Sequence, residues 1–179
     1  WAYGCDADYL KGLCEHWTGG YDWRAAVADL NRFPQFTAQV EDFELHFVHV
    51  VGEAKGARPL ILTHGWPGSH YEFWQAIDKL AFPSRFGGQA SDAFDLVIPS
   101  LPGFGFSSKP RRPVGQRTTA RLFNTLMTEV LGYSGYLAQG GDWGAMVTSW
   151  LGRDHAAHAH AIHLNMLGFR PHGGPEGEA

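Results

Sequence analysis

Apolar positions along this chain change period several times, and each change marks an element. From about Asp6 to Trp17, Leu10, Leu13, Cys14 and Trp17 recur at helical spacing as a one-sided stripe. After the Gly19-Gly20 break, Asp22 is the expected N-cap of a second short amphipathic helix carrying Trp23, Ala26, Val27 and Leu30, which Pro34 ends. Both helices precede any strand, so they are expected to pack on the outside of something else. At Phe43–Val51 (FELHFVHVV) the pattern alternates and becomes aromatic and β-branched, which predicts a strand. Pro59–Thr63, Phe94–Ile98 and the weaker Gly135–Ala138 are short continuous apolar runs of the kind buried parallel strands show, and Ala161–Met166 reads as one more. Helical patterns lie between them. The clearest is Leu122, Phe123, Leu126, Met127, Val130 and Leu131, with Thr118 or Thr119 as its expected cap and Gly132 after its end. Strands alternating with helices predict an α/β fold: an open, mostly parallel sheet with flanking helices, preceded by an N-terminal helical extension. The tail from His172, HGGPEGEA, is polar and glycine-rich and reads as a loop.

Composition narrows the function classes. The chain has 179 residues, of which 44% are hydrophobic and 18% charged, enough for one globular domain with a core. Lysine and arginine number 14 against 18 acids, a net charge of -4, so no nucleic-acid partner is expected. No run of about 18 apolar residues occurs, and WAYGCDADYL lacks the basic start and apolar core of a signal peptide. A cytoplasmic location is the resulting expectation. Cys5 and Cys14, nine residues apart in a predicted helix, read as small apolar residues rather than a disulfide framework.

The most informative stretch is Tyr136–Thr148, YLAQGGDWGAMVT, which runs from a strand through a glycine-rich turn into a helix. Gly140, Asp142 and Gly144 form a small-x-nucleophile-x-small spacing. That spacing suits a sharp elbow that exposes the central side chain above a sheet while strand and helix pack tightly on either side. With aspartate at the centre, the chemistry is attack by a carboxylate on saturated carbon, giving an alkyl ester on the protein. Glycine spacing alone fits a tight turn with a capping aspartate equally well, and a second motif decides against that reading. In ILTHGWPGS, residues 61–69, an apolar strand ends at His64-Gly65 and Trp66-Pro67 turns the chain. In α/β-hydrolases one oxyanion donor comes from this loop and the other from the residue after the nucleophile, here the backbone N–H groups of Trp66 and Trp143. Pro67 has no N–H, which leaves the Trp66 amide as donor. His64 reads as a structural histidine supporting the loop. A catalytic base is expected later in the chain order.

HGWPGS, then PSLPGFGFS at Pro99–Ser107, then QGGDWG at Gln139–Gly144 resemble the microsomal and juvenile-hormone type of epoxide hydrolase and its bacterial relatives. YDWRAAVADLNRFPQF followed by LHFVHV resembles that family's N-terminal extension, so the resemblance spans nearly the whole chain. It divides the chain into an extension over 1–42 that packs on the core, the N-terminal half of an α/β-hydrolase core over 43–170, and a tail over 171–179. It implies hydrolysis of a small apolar epoxide to a vicinal diol, with water as co-substrate. Asp142 is then the nucleophile, Trp66 and Trp143 supply the oxyanion hole, and Gly65, Gly140 and Gly144 are the loop and elbow glycines. No metal and no organic cofactor are implied. The aromatic faces of the two tryptophans are expected to wall an apolar pocket.

The family's water-activating histidine, its acidic partner and two lid tyrosines have no match in this chain. His172, Glu176 and Glu178 lie in a tail too short to serve as that dyad. The chain therefore reads as an incomplete part of an enzyme, poorly stable alone, whose remainder is more sequence, a partner chain or a homo-oligomer. Two alternatives stand beside this reading. A haloalkane dehalogenase-like hydrolase would use the same aspartate with the Trp143 indole as halide donor. A non-catalytic fragment or binding subunit would keep only an apolar pocket. The cluster His155, His158, His160 and His163 does not match a known metal-ligand spacing and reads as loop histidines. Lys109–Arg112 reads as a solvated loop, and Asp92 and Asp95 as strand-bordering residues.

Overall fold

The computed structural model describes residues 3–167. The tail over 171–179, with His172, Glu176 and Glu178, lies outside the described residues. The chain divides into two compact units, Trp1–Arg32 and Phe33–Ala179.

The first unit holds two helices, α1 (Ala7–Gly19) and α2 (Trp23–Leu30). Each begins at an aspartate whose carboxylate accepts an N–H of its first turn. Asp6 takes Tyr9 N–H at 3.0 Å and Asp22 takes Ala25 N–H at 3.0 Å, each worth about 1 kcal/mol. The expected stripe on α1 is solvent-facing, with Leu10, Leu13 and Trp17 all exposed. Cys5 precedes α1 instead of lying in it, and both cysteines are free and exposed, because the N-cap at Asp6 starts the helix after Cys5.

The second unit is a six-stranded sheet of β1 (Gln35–Val40), β2 (Phe43–Val50), β3 (Arg58–Thr63), β4 (Phe94–Pro99), β5 (Tyr136–Gly140) and β6 (Ala159–Leu164), ordered β1-β2-β4-β3-β5-β6. The four strands β4-β3-β5-β6 are parallel, and β1-β2-β4 are antiparallel. Strand β1 was not expected from its sequence. Its polar residues Gln35, Thr37 and Gln39 suit an edge. Its turn to β2 is Glu41-Asp42, with Glu41 at φ 52, not one of the glycine-bearing pairs that mark a hairpin.

Helices α4 (Gln116–Thr125) and α5 (Trp143–Asp154) pack on one face of the sheet. There Leu122, Phe123, Leu126, Met127, Val147 and Leu151 close over Ile61, Val97 and Ala138. Each large side chain buried here contributes about 1.5–3 kcal/mol. Gly115, not Thr118 or Thr119, precedes α4 as its cap residue. Thr119 is buried inside the helix, where its hydroxyl donates back to the Gly115 carbonyl at 3.2 Å. The helix widens into a π turn over Leu126–Val130 before Gly132, which takes φ 75. Helix α3 (Trp74–Ala81) packs beside β4. It flanks an apolar hollow of about 510 Å³ lined by Leu60, Leu62, Phe73, Leu137 and Ile162. No described helix is long and apolar enough to cross a membrane.

Three buried polar side chains tie the sheet to the loops above it. The His46 Nδ1 lies 2.9 Å from Ser100 Oγ, which lies 3.2 Å from His70 Nδ1. The His46 Nε2 reaches Gln35 Oε1 at 2.8 Å. Burial favours neutral rings, and repulsion from His70 adds to it at His46 and from His64 at His70, so His46 and His70 are both lowered to about 4. The unfolded chain takes up protons near pH ~6.5, where the folded chain does not. Stability should therefore be full above that pH and fall as pH drops through 6.5 toward 4, by on the order of 2–3 kcal/mol. Urea unfolding at pH 7 and pH 4.5 measures this. The H46Q variant should flatten the dependence.

Candidate active site

The turn between β5 and α5 puts Asp142 at φ 50, ψ -124, a left-handed backbone that a non-glycine residue rarely adopts. Two glycines make the turn fit. A Cβ on Gly140 would fall on the Gly144 carbonyl, and a Cβ on Gly144 would fall on the Thr63 carbonyl at the end of β3. Strand and helix backbones thus meet with no side chain between them.

Asp142 does not cap α5 with its side chain. Its carboxylate instead accepts the Trp66 N–H at 2.8 Å, across 76 residues of sequence. The Trp66 amide first, and the Trp143 amide second, hold the Asp142 carboxyl below its ordinary aspartate range. Gly65 makes room for this approach, since a Cβ there would lie 2.5 Å from the Asp142 Cβ. All six residues singled out in the sequence (Asp142, Trp66, Trp143, Gly65, Gly140 and Gly144) therefore meet at one point. Trp66 and Trp143 are 60% and 44% exposed, so they border the site as open surface and do not close it. The Trp143 ring packs edge-on to Phe104 at 6.0 Å.

His64 is fully buried beneath the loop, with Nδ1 2.9 Å from the Gly65 carbonyl and Nε2 accepting the Leu101 N–H at 3.1 Å. The four histidines of the 155–163 stretch have separate surroundings. His155 ends α5, the His158 Nδ1 lies 3.0 Å from the Ser134 carbonyl, the His160 ring packs against Gly135, and His163 lines the hollow beside α3. Lys109, Arg111 and Arg112 are exposed in irregular chain. Asp95 accepts the Gly52 N–H at 2.8 Å.

Glu72 is a site residue the sequence did not single out. The turn after Pro67 folds it back so that its carboxylate accepts the Gly65 and Ser69 N–H groups. Burial raises its pKa, the two amides oppose that rise, and the nearby Asp142 charge adds to it. The one available signal was Gly68, where any side chain would overlap the Glu72 carboxylate.

Residues 1–73 match the family model described as epoxide hydrolase N terminus, and residues 58–173 match that described as alpha/beta hydrolase fold. A protein of Stigmatella aurantiaca, provisionally named an epoxide hydrolase, is 46% identical over 166 residues, covering 92% of this chain and 38% of its own. The structure of Aspergillus niger epoxide hydrolase superposes with a TM-score of 0.82 at 38% identity, covering 99% of this chain and 45% of that one. The juvenile hormone epoxide hydrolase of the silkworm Bombyx mori superposes with a TM-score of 0.82 at 33% identity, covering 92% and 39%. The chain thus spans less than half the length of these relatives.

The backbone contact at Gly144 has a direct test. G144A should destabilise the protein by about 2–3 kcal/mol through overpacking against β3. G12A, mid-α1 with open space where its Cβ would stand, should stabilise by up to about 1 kcal/mol. Chemical denaturation of the two variants beside the parent measures both.

Proposed function

The chain belongs to the α/β-hydrolase fold family, and from that premise we propose that it is the nucleophile-bearing part of an enzyme that hydrolyses epoxides to vicinal diols. The observation that carries this reading is the Asp142 carboxylate, exposed on a left-handed elbow and already accepting the Trp66 amide at 2.8 Å. A carboxylate so held is ionised at neutral pH and needs no base to become a nucleophile.

In the first step an Asp142 oxygen attacks one epoxide carbon. The ring C–O bond breaks, its electron pair goes to the ring oxygen, and that oxygen takes a proton. In the second step water attacks the ester carbonyl carbon. The negative charge that develops on the carbonyl oxygen lies where the Trp66 and Trp143 N–H groups point. Collapse releases the diol and restores the carboxylate with one oxygen from water. The proton donors of the first step and the base of the second come, on this reading, from the remaining part of the protein. The epoxide hydrolase names of the relatives support the substrate class.

Diol formation from styrene oxide by the intact protein tests the reading. D142N should lose turnover by about 10⁴-fold or more. In H₂¹⁸O, label should enter the Asp142 carboxylate after one cycle. Because the two amides lower the Asp142 pKa, the rate of ester formation should stay flat as pH falls to the ordinary aspartate value of about 3.9 and drop only below it. Undiminished turnover by D142N would refute the assignment, and halide release from a simple alkyl halide, with no diol formed from styrene oxide, would identify a dehalogenase.

A further inference from the structure

Of the two amides proposed to serve the second step, the Trp66 N–H belongs to a peptide whose aim the structure explains. The Gly65–Trp66 peptide is trans, so its C=O and its N–H point in opposite directions from a rigid plane. The N–H end reaches Asp142 at 2.8 Å. The C=O end lies 2.9 Å from the His64 Nδ1. A carbonyl oxygen only accepts, so this bond requires a proton on Nδ1. The other ring nitrogen settles the same point independently. Nε2 lies 3.1 Å from the Leu101 N–H, which only donates, so Nε2 carries a lone pair and no proton.

The two bonds together define one protonation state: a neutral imidazole with its proton on Nδ1. A protonated ring would set an N–H against the Leu101 N–H. The Nε2–H tautomer would break both bonds. Burial works in the same direction, lowering the His64 pKa against the opposing pull of the Gly65 carbonyl. Phe104 packs edge-on to the ring at 5.6 Å and limits its rotation.

We propose that His64 is a positioning residue for the oxyanion hole: its Nδ1–H holds the Gly65 carbonyl and so turns the Trp66 N–H onto Asp142, while the Leu101 N–H selects the tautomer that does this. The proposal rests on the reading of Asp142 and Trp66 given above. It also links the loop after β3 to the segment following β4, because Leu101 lies just beyond the end of that strand. Glu72 holds the N–H of Gly65 itself, so both polar groups of that glycine are fixed by side chains. His64 touches no reacting atom and acts only through the peptide.

Three measurements on the intact protein test this. In ¹⁵N-histidine spectra, His64 should hold the Nδ1–H tautomer from pH 5 to pH 8, and the Nε2–H form or a protonated ring would overturn the proposal. This requires no variant to fold. Next, H64N keeps an amide N–H near the Nδ1 position, whereas H64Q places its amide near the Nε2 position and leaves the Gly65 carbonyl without its donor. The Asp142 pKa, read by carboxylate NMR titration, should rise toward the ordinary value in H64Q and stay low in H64N. An unchanged Asp142 pKa in H64Q overturns the proposal. Finally, after exposure to styrene oxide, H64Q should hydrolyse the Asp142 ester about 10²-fold more slowly, the scale of losing one oxyanion donor. Its kcat and KM should fall together as the ester accumulates, while H64N stays within a few-fold of the parent. Equal impairment of both variants would reduce His64 to general packing and overturn the proposal. If the parent forms no ester at all, the epoxide reading fails, and the tautomer and the Asp142 titration still decide the role of His64.

Discussion

Everything at the site hangs on a place where two backbones touch. The first turn of α5 presses against the last residues of β3, and only glycine at 144 lets the Thr63 carbonyl come so close. Gly140 does the same on the strand side of the turn. That tight junction leaves the chain little choice at Asp142 but a left-handed conformation, which costs on the order of 1–3 kcal/mol for a residue with a Cβ. The cost is offset nearby. The Ala145 N–H donates to the Asp142 carbonyl at 3.0 Å, and Ala145, Val147 and Leu151 of α5 are buried. Strain in the Asp142 backbone is therefore sustained by the packing of the helix that follows it.

The electrostatics follow from the same geometry. Turning the Asp142 side chain outward puts it in reach of an amide from β3's loop as well as the first amide of its own helix, and both favour the ionised form. Glu72 lies close by, with burial pushing its pKa the opposite way. Two carboxyl groups in one neighbourhood are thus driven apart in acidity, and the exposed one is the stronger acid. On the proposed reading, that division lets one carboxylate attack while the other only holds a loop.

How much of this was legible in the sequence depends on the kind of constraint. Gly140, Gly144 and Gly65 were readable because each answers a local steric demand that no other residue meets, and such demands recur at fixed spacing. The parallel strands were readable from apolar runs, each to within two residues at either end. Strand β1 was not, because an edge strand with one polar face and a Glu41-Asp42 turn carries neither a long apolar run nor a glycine turn. The threonine cap expected for α4 failed because Thr119 satisfies its hydroxyl within the helix. The chain of His46, Ser100 and His70 was hidden for a different reason. Its members are up to 54 residues apart, and nothing local in any of them announces the others. Glu72 is intermediate: it is near the loop in sequence, but its role appears only once the turn after Pro67 is closed.

The exposure of the site bears on what the proposed reaction requires. An amide donor aimed at a developing oxyanion is worth far more when water is excluded, because the surrounding dielectric sets the strength of every such bond. Within residues 3–167, Asp142 is exposed and Trp66 and Trp143 are 60% and 44% exposed. The relatives are more than twice as long as the segment matched here. On the proposed reading, attack by Asp142 draws mainly on groups this chain already positions, since an ionised carboxylate needs no deprotonation. Hydrolysis of the ester is more demanding. It requires a base for water and also a dry surround in which the Trp66 and Trp143 amides act at full strength. A segment that only delivered a histidine, without covering the two indoles, would leave the oxyanion facing solvent and the second step slow.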